Sequence, residues 1–219
     1  MAAFVSELIS SVIQIILFAL VPFLWWLVTA RKKTGFFHWI GLKWDRNKKH
    51  NKISVWIICT FIGFWIVGEF SLYALKDIPT AVSAFSGAGF GAIPAIIVYA
   101  VFHTSLSEEI LFRGFLLKRI SGRFGFTAGN TVQALLFGLL HGIMFVSEAG
   151  FLKAILLTVF TAAIAWTMGY INEKKADGSI LPGWLIHGAV SYTHLDVYKR
   201  QALFTRIGQP VRPIPGPTA

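Results

Sequence analysis

Cysteine is almost absent. Cys59 stands alone inside an apolar run, so an intrachain disulfide is impossible and a metal cluster built on cysteine thiolates is excluded. Charge is scarce too: 14% of the 219 residues are Asp, Glu, Lys or Arg, against 55% hydrophobic and 15% aromatic residues. A mean hydropathy of +0.65 is too high for a soluble domain and indicates a polytopic membrane protein. Acidic residues number ten against twenty basic ones, a net charge of +10. No nucleic-acid-binding motif accompanies that excess. Thirteen of the twenty Lys and Arg residues fall in three short stretches between apolar runs, as cytoplasmic loops do. The expected partner is therefore a lipid bilayer, with no nucleic acid. The first apolar run has neither a preceding basic region nor a small-residue cleavage site, so it reads as a retained span rather than a signal peptide.

What is present is a series of apolar runs. A span needs about 20 predominantly apolar residues, because its backbone must satisfy its own hydrogen bonds across the hydrocarbon. The runs predict an all-α polytopic bundle of about six membrane helices: Leu8 to Ala30, Ile53 to Leu75, Ala92 to Ile120, Thr127 to Val146, Phe151 to Ile171 and the short Ile180 to Val190. Residues 31–52, 118–124 and 172–178 carry the basic clusters and are expected on the cytoplasmic side, with the amino terminus outside. Within the first of these, Phe36 to Ile40 suits the membrane surface. Ala81 to Gly91 is Gly-rich, with turn or close-packing character. Three regions result: two amino-terminal helices with a basic loop over 1–80, a polar-bearing core over 81–191, and a tail over 192–219.

The last apolar run is too short for a full span. It gives way to Ser191-Tyr192-Thr193-His194-Leu195-Asp196-Val197-Tyr198-Lys199-Arg200-Gln201, a string that looks like translated sequencing-adapter read-through, so the last helix is expected to be truncated. The other reading is an interfacial tail followed by a Pro-rich, disordered segment from Gly208 to Ala219.

Polar groups inside such runs are costly and point to function. Glu108, Glu109 and Arg113 sit together in the third long run, His141 in the next and His187 in the last. Glu109 and Arg113 are i and i+4, on one helical face, where they can form a charge-assisted pair. Glu108 is turned away by about 100° and lacks that partner. An unpaired carboxyl in low-dielectric surroundings suits a general base acting on water, whereas a buried cluster serving only helix packing would need no second acid. Phe137 and His141 are likewise i and i+4, and His187 follows Pro182 at the start of the last run. Three polar sites on three helices imply that they meet. Glu69 reads as an interfacial or helix-pairing acid, and His103 as a packing residue.

Taken in order, Glu108-Glu109-x-x-x-Arg113, Phe137-x-x-x-His141 and Ser179-Ile180-Leu181-Pro182-x-x-x-x-His187, with Ser191 four residues on, resemble the motifs of the CPBP intramembrane proteases. That family includes the type II CAAX prenyl endopeptidases and bacterial abortive-infection and bacteriocin-immunity proteins, and the resemblance covers about residues 90–191. It implies a hydrolase of peptide or protein substrates entering from the membrane, in an integral protein of a bacterial cytoplasmic membrane. It further implies that Glu108 activates water with help from His141, that Arg113 and Glu109 support the site, and that His187 with Ser191 stabilises the oxyanion. Phe137 would wall the site. The family usually carries Asn where this chain has Ser191.

Three alternatives stand beside this reading. Glu108, His141 and His187 could hold Zn2+ with an open coordination position, although His-Glu-x-x-His is absent and the resemblance favours a glutamate–water mechanism with no cofactor. A non-enzymatic scaffold or immunity protein could retain the motifs as a packing network. A small proton-coupled transporter could use the same residues, but no inverted repeat of broken helices is visible.

Overall fold

The computed structural model describes residues 2–44, 50–74 and 90–193. It is an all-α bundle of seven helices with no strand among the described residues. These are α1 (Ala2–Thr29), the short α2 (Phe36–Trp39), α3 (His50–Ala74), α4 (Ile93–Phe124), α5 (Phe126–Ala149), α6 (Phe151–Lys174) and α7 (181–193). Four of them, α1, α4, α5 and α6, are long and apolar enough to cross a membrane. The expected Gly-rich stretch at 81–91 lies almost wholly outside the described residues, as do the Glu69 side chain and the tail from 194.

Helix α4 is the least hydropathic of the four candidate spans, and half of its most apolar window is buried, against 11% for α1. A helix that polar survives in an apolar bundle only by being central, where neighbours satisfy its side chains. Helix α1 shows Ile9, Ile13, Ile16 and Leu20 outward, as a lipid-facing helix should.

Helices α5 and α6 form the tightest pair. They turn over at Gly150, whose φ of +79° is a left-handed conformation in which a side chain would be strained. Along the pair, Gly142 lies against Thr158 and the Ala154 carbonyl, leaving no room for a Cβ. Small residues of this kind let two membrane helices approach closely enough for backbone packing to hold them. Buried amides add cross-links: Asn130 Nδ2 donates to the Trp166 carbonyl at 2.9 Å and Gln133 Nε2 to that of Ala165 at 3.1 Å.

Helix α7 is enclosed by α3, α4 and α6. Ile186 and Val190 join Met168 and Ile171 of α6, with Ile57, Phe61 and Phe64 of α3 against them, and Trp184 Nε1 donates to the Val101 carbonyl of α4 at 2.7 Å. The helix continues through Ser191 to Thr193, and Tyr192 packs on Ile96 and Ala100.

The stretch after α1 does more than lie on a surface. Phe37 is exposed, but Ile40 is fully buried against Leu106, Ile110 and Ile180. The Gly41 carbonyl accepts from Ile180 N at 2.9 Å, and Ser179 Oγ donates to the Lys43 carbonyl at 2.7 Å. Lys118 closes this end of the bundle, donating to Glu173 Oε1 at 2.6 Å and to the Gly178 carbonyl at 2.7 Å. The basic residue at 118 is thus a clamp between α4, α6 and the loop that starts α7.

Candidate active site

The carboxylates sit where α4 changes its winding. Tyr99–Leu106 and Ile110–Leu117 are π-wound, and Ser107–Glu109 is the single α turn between them. Such wide turns are rare and gather at functional sites. Hydroxyls stitch the region together: Thr104 Oγ1 donates to the Ala100 carbonyl at 3.1 Å, Ser105 Oγ donates to the same carbonyl, and Ser107 Oγ donates to those of His103 and Thr104.

Glu109 and Arg113 form a fully buried ion pair, with Oε1 2.9 Å from Nη1 and neither side chain exposed. The guanidinium also lies 4.5 Å from the centre of the Phe137 ring, close enough for a cation–π contact. Glu108, one residue earlier, keeps 19% of its side chain exposed. The two acids thus occupy different surroundings, one sealed and one open.

His187 reaches both. Its Nδ1 is 3.2 Å from Glu109 Oε1, and its Nε2 is 3.6 Å from Glu108 Oε2. An ionised carboxylate only accepts, so the first contact fixes the proton on Nδ1 and aims Nε2 at Glu108. The second distance is too long for a direct hydrogen bond and leaves an electrostatic contact.

His141 meets neither glutamate directly. Its Nδ1 is 2.8 Å from the Phe137 carbonyl, which again only accepts, so the proton sits on Nδ1 and Nε2 carries the lone pair. What joins it to the rest is the Phe137 ring, 4.4 Å between centres from His141 and 5.8 Å from His187 at a near-perpendicular 82°. Phe137 is therefore the common wall of Arg113, His141 and His187. Ser191 stands one turn beyond His187 on α7 and is half-buried, with no hydrogen bond from its hydroxyl among the described residues. Among the described residues no group of three or more His, Cys, Asp or Glu side chains is placed to hold a metal ion.

Several residues that matter here escape a reading of the motifs. Asn172, fully buried near the end of α6, accepts at Oδ1 from Gly183 N at 2.8 Å and so caps α7. A Cβ on Gly183 would come within 2.7 Å of Glu109 Oε2 and 2.6 Å of Asn172 Nδ2, so only glycine lets the helix bearing His187 approach Glu109. Glu7 of α1 holds His103 of α4, Oε1 to Nδ1 at 2.9 Å, where packing alone was expected of the histidine. The available signal was a lone acid in an otherwise apolar first span.

Residues 90–193 match the family model described as Type II CAAX prenyl endopeptidase Rce1-like. No curated protein and no solved structure matches the chain. The matched range contains the paired glutamates, the arginine and both histidines, and it lies in a bundle of apolar helices. Over residues 90–193 the chain is similar to the Rce1-like type II CAAX prenyl endopeptidases, a match that supports a CPBP-type intramembrane protease.

Proposed function

We propose that the protein hydrolyses a peptide bond of a membrane-associated peptide or protein by glutamate-activated water, without a metal, and that Glu108 is the base. The observation that carries this reading is the split between the two acids: Glu109 is committed to Arg113 and His187, while Glu108 is part-exposed beside His187 Nε2.

In this mechanism Glu108 takes a proton from a water held between its carboxylate and the lone pair of His141 Nε2. The water oxygen uses a lone pair to bond to the scissile carbonyl carbon, and the π pair of that C=O bond moves onto the carbonyl oxygen. His187, oriented through Nδ1 by Glu109, donates from Nε2 in its protonated form to the oxyanion, and Ser191 Oγ supplies a second donor. When the C–N bond breaks, Glu108 returns its proton to the departing amine. Arg113 touches no reacting atom; it holds Glu109, which holds His187. The surrounding helices keep bulk water away from a site whose dipoles act more strongly in low dielectric.

The basic clusters over 31–52, 118–124 and 172–178 support a topology with those segments on the cytoplasmic side and the amino terminus outside. Prenylated and unprenylated substrates both fit this chemistry. The test is cleavage of a fluorogenic membrane peptide in proteoliposomes by wild type, Glu108→Gln and His141→Ala. Loss of cleavage in both variants with the fold retained supports the mechanism. Undiminished cleavage in Glu108→Gln overturns it.

A further inference from the structure

Near the carboxylate–histidine centre lies a second polar group within the apolar bundle. Glu7 Oε1 is 2.9 Å from His103 Nδ1, with 17% and 24% of the two side chains exposed. The Tyr99 ring is 4.9 Å from that of His103, and Tyr99 lies within reach of the charges of both Glu7 and Glu108. Tyr99, His103 and Glu108 are spaced by four and then five residues. Winding closed by i to i+5 hydrogen bonds brings residues four to five apart onto one face, so these three form a file along α4.

The two ends of that file differ. Beyond Glu108, towards Lys118, the helix is packed shut: Phe112, Arg113, Phe115 and Leu117 are exposed by 7% or less. Before it, Tyr99, His103 and Thr104 are only half-buried, and Glu7 joins them from α1. Polar groups part-exposed at membrane depth persist where they line a water-filled cavity, because lipid cannot satisfy them. A hydrolase whose base is sealed on one side must receive water from the other.

We infer that Tyr99, His103 and Glu7 line a water path running from the amino-terminal end of the bundle to Glu108. This rests on Glu108 being the base that uses the water. It gives α1, which lies outside the matched range, a part in the chemistry: its acid holds His103 and keeps that wall of the path polar.

The experiment needs no substrate. In proteoliposomes of otherwise intact protein carrying Cys59→Ser, single His103→Cys and Tyr99→Cys variants are exposed to a small, charged thiosulfonate reagent. Ile97→Cys, at a position 43% exposed on the lipid side of α4, is the control. Thiols at 99 and 103 should react roughly ten-fold faster than the one at 97, since only a hydrated thiol ionises readily. Tyr99→Cys leaves the Glu7–His103 pair in place, so a misfolded His103 variant would not decide the matter. Radiolytic hydroxyl footprinting of the unsubstituted chain is the second measurement, and it should oxidise Tyr99 well above the buried Phe112. Thiols at 99 and 103 that resist the charged reagent but react with an apolar maleimide overturn the inference, as does a Tyr99 no more oxidised than Phe112. A chain that labels as expected yet cleaves nothing keeps the path and loses the peptidase reading.

Discussion

His187 Nδ1 and Arg113 Nη1 approach the same oxygen, Glu109 Oε1, at 3.2 and 2.9 Å. One carboxylate oxygen on α4 therefore ties a guanidinium one turn along its own helix to an imidazole on α7, and it sets the direction in which that imidazole presents Nε2. The two glutamates are adjacent in the chain and not interchangeable.

Replacing each acid by its amide separates them. Glu108→Gln should reduce cleavage by about 10²–10⁴-fold while thermal unfolding in detergent stays near that of wild type. Glu109→Gln should also lower stability, by roughly 3–5 kcal/mol, because a fully buried Arg113 loses its counter-charge. Equal stability loss in both variants would show that the two acids play one structural part.

Arg113→Lys is expected to behave as a severe change. The guanidinium both meets Glu109 and lies over the Phe137 ring, and a compact ammonium lacks the planar fork that makes the two contacts together. Cleavage kinetics should show kcat falling with KM little altered, since Arg113 acts through Glu109 and His187. A wild-type kcat would remove it from the positioning chain.

Gly183→Ala should push α7 away from Glu109. The added Cβ meets Glu109 Oε2 and Asn172 Nδ2 inside contact distance, and overpacking of this kind destabilises by about 1–3 kcal/mol. The check is a lowered melting temperature together with reduced cleavage. Gly91→Ala, where a Cβ meets nothing within 4 Å among the described residues, serves as the control.

Lys118→Met tests the clamp at the other end. Glu173 and the Gly178 carbonyl lose a shared donor, so stability should fall by about 1–3 kcal/mol. Limited proteolysis should then cut within 174–180 sooner than in wild type. An unchanged cutting pattern would reduce Lys118 to a surface charge.

Chelation addresses the zinc alternative. Activity of the purified protein should survive a strong chelator, and elemental analysis should find no stoichiometric zinc. Loss of cleavage on chelation, restored by added Zn2+, would return Glu108, His141 and His187 to consideration as ligands.

Much of the architecture was legible in the chain because the bilayer imposes a simple rule: an apolar run of sufficient length must be helical to satisfy its own backbone. The helices at Phe126–Ala149 and Phe151–Lys174 follow from that rule, and the ion pair between Glu109 and Arg113 follows from i, i+4 spacing on one helix. Relations between helices do not follow in the same way. That His187 meets the glutamates directly, while His141 reaches them only around the Phe137 ring, depends on the rotation of α5 and α7 about α4. Small and polar contacts such as Gly183 with Asn172 fix that rotation, and a single sequence does not show which face meets which. The π-winding around Ser107–Glu109 has no mark in the residue pattern, and it decides which side chains of α4 share a face with Glu108. The sequence by itself determined an all-helical membrane protein and the residue types available for hydrolysis. Helical spacing told the paired carboxylate from the unpaired one, and tertiary packing decided how deeply each is buried, because burial is a property of neighbours that come from distant parts of the chain.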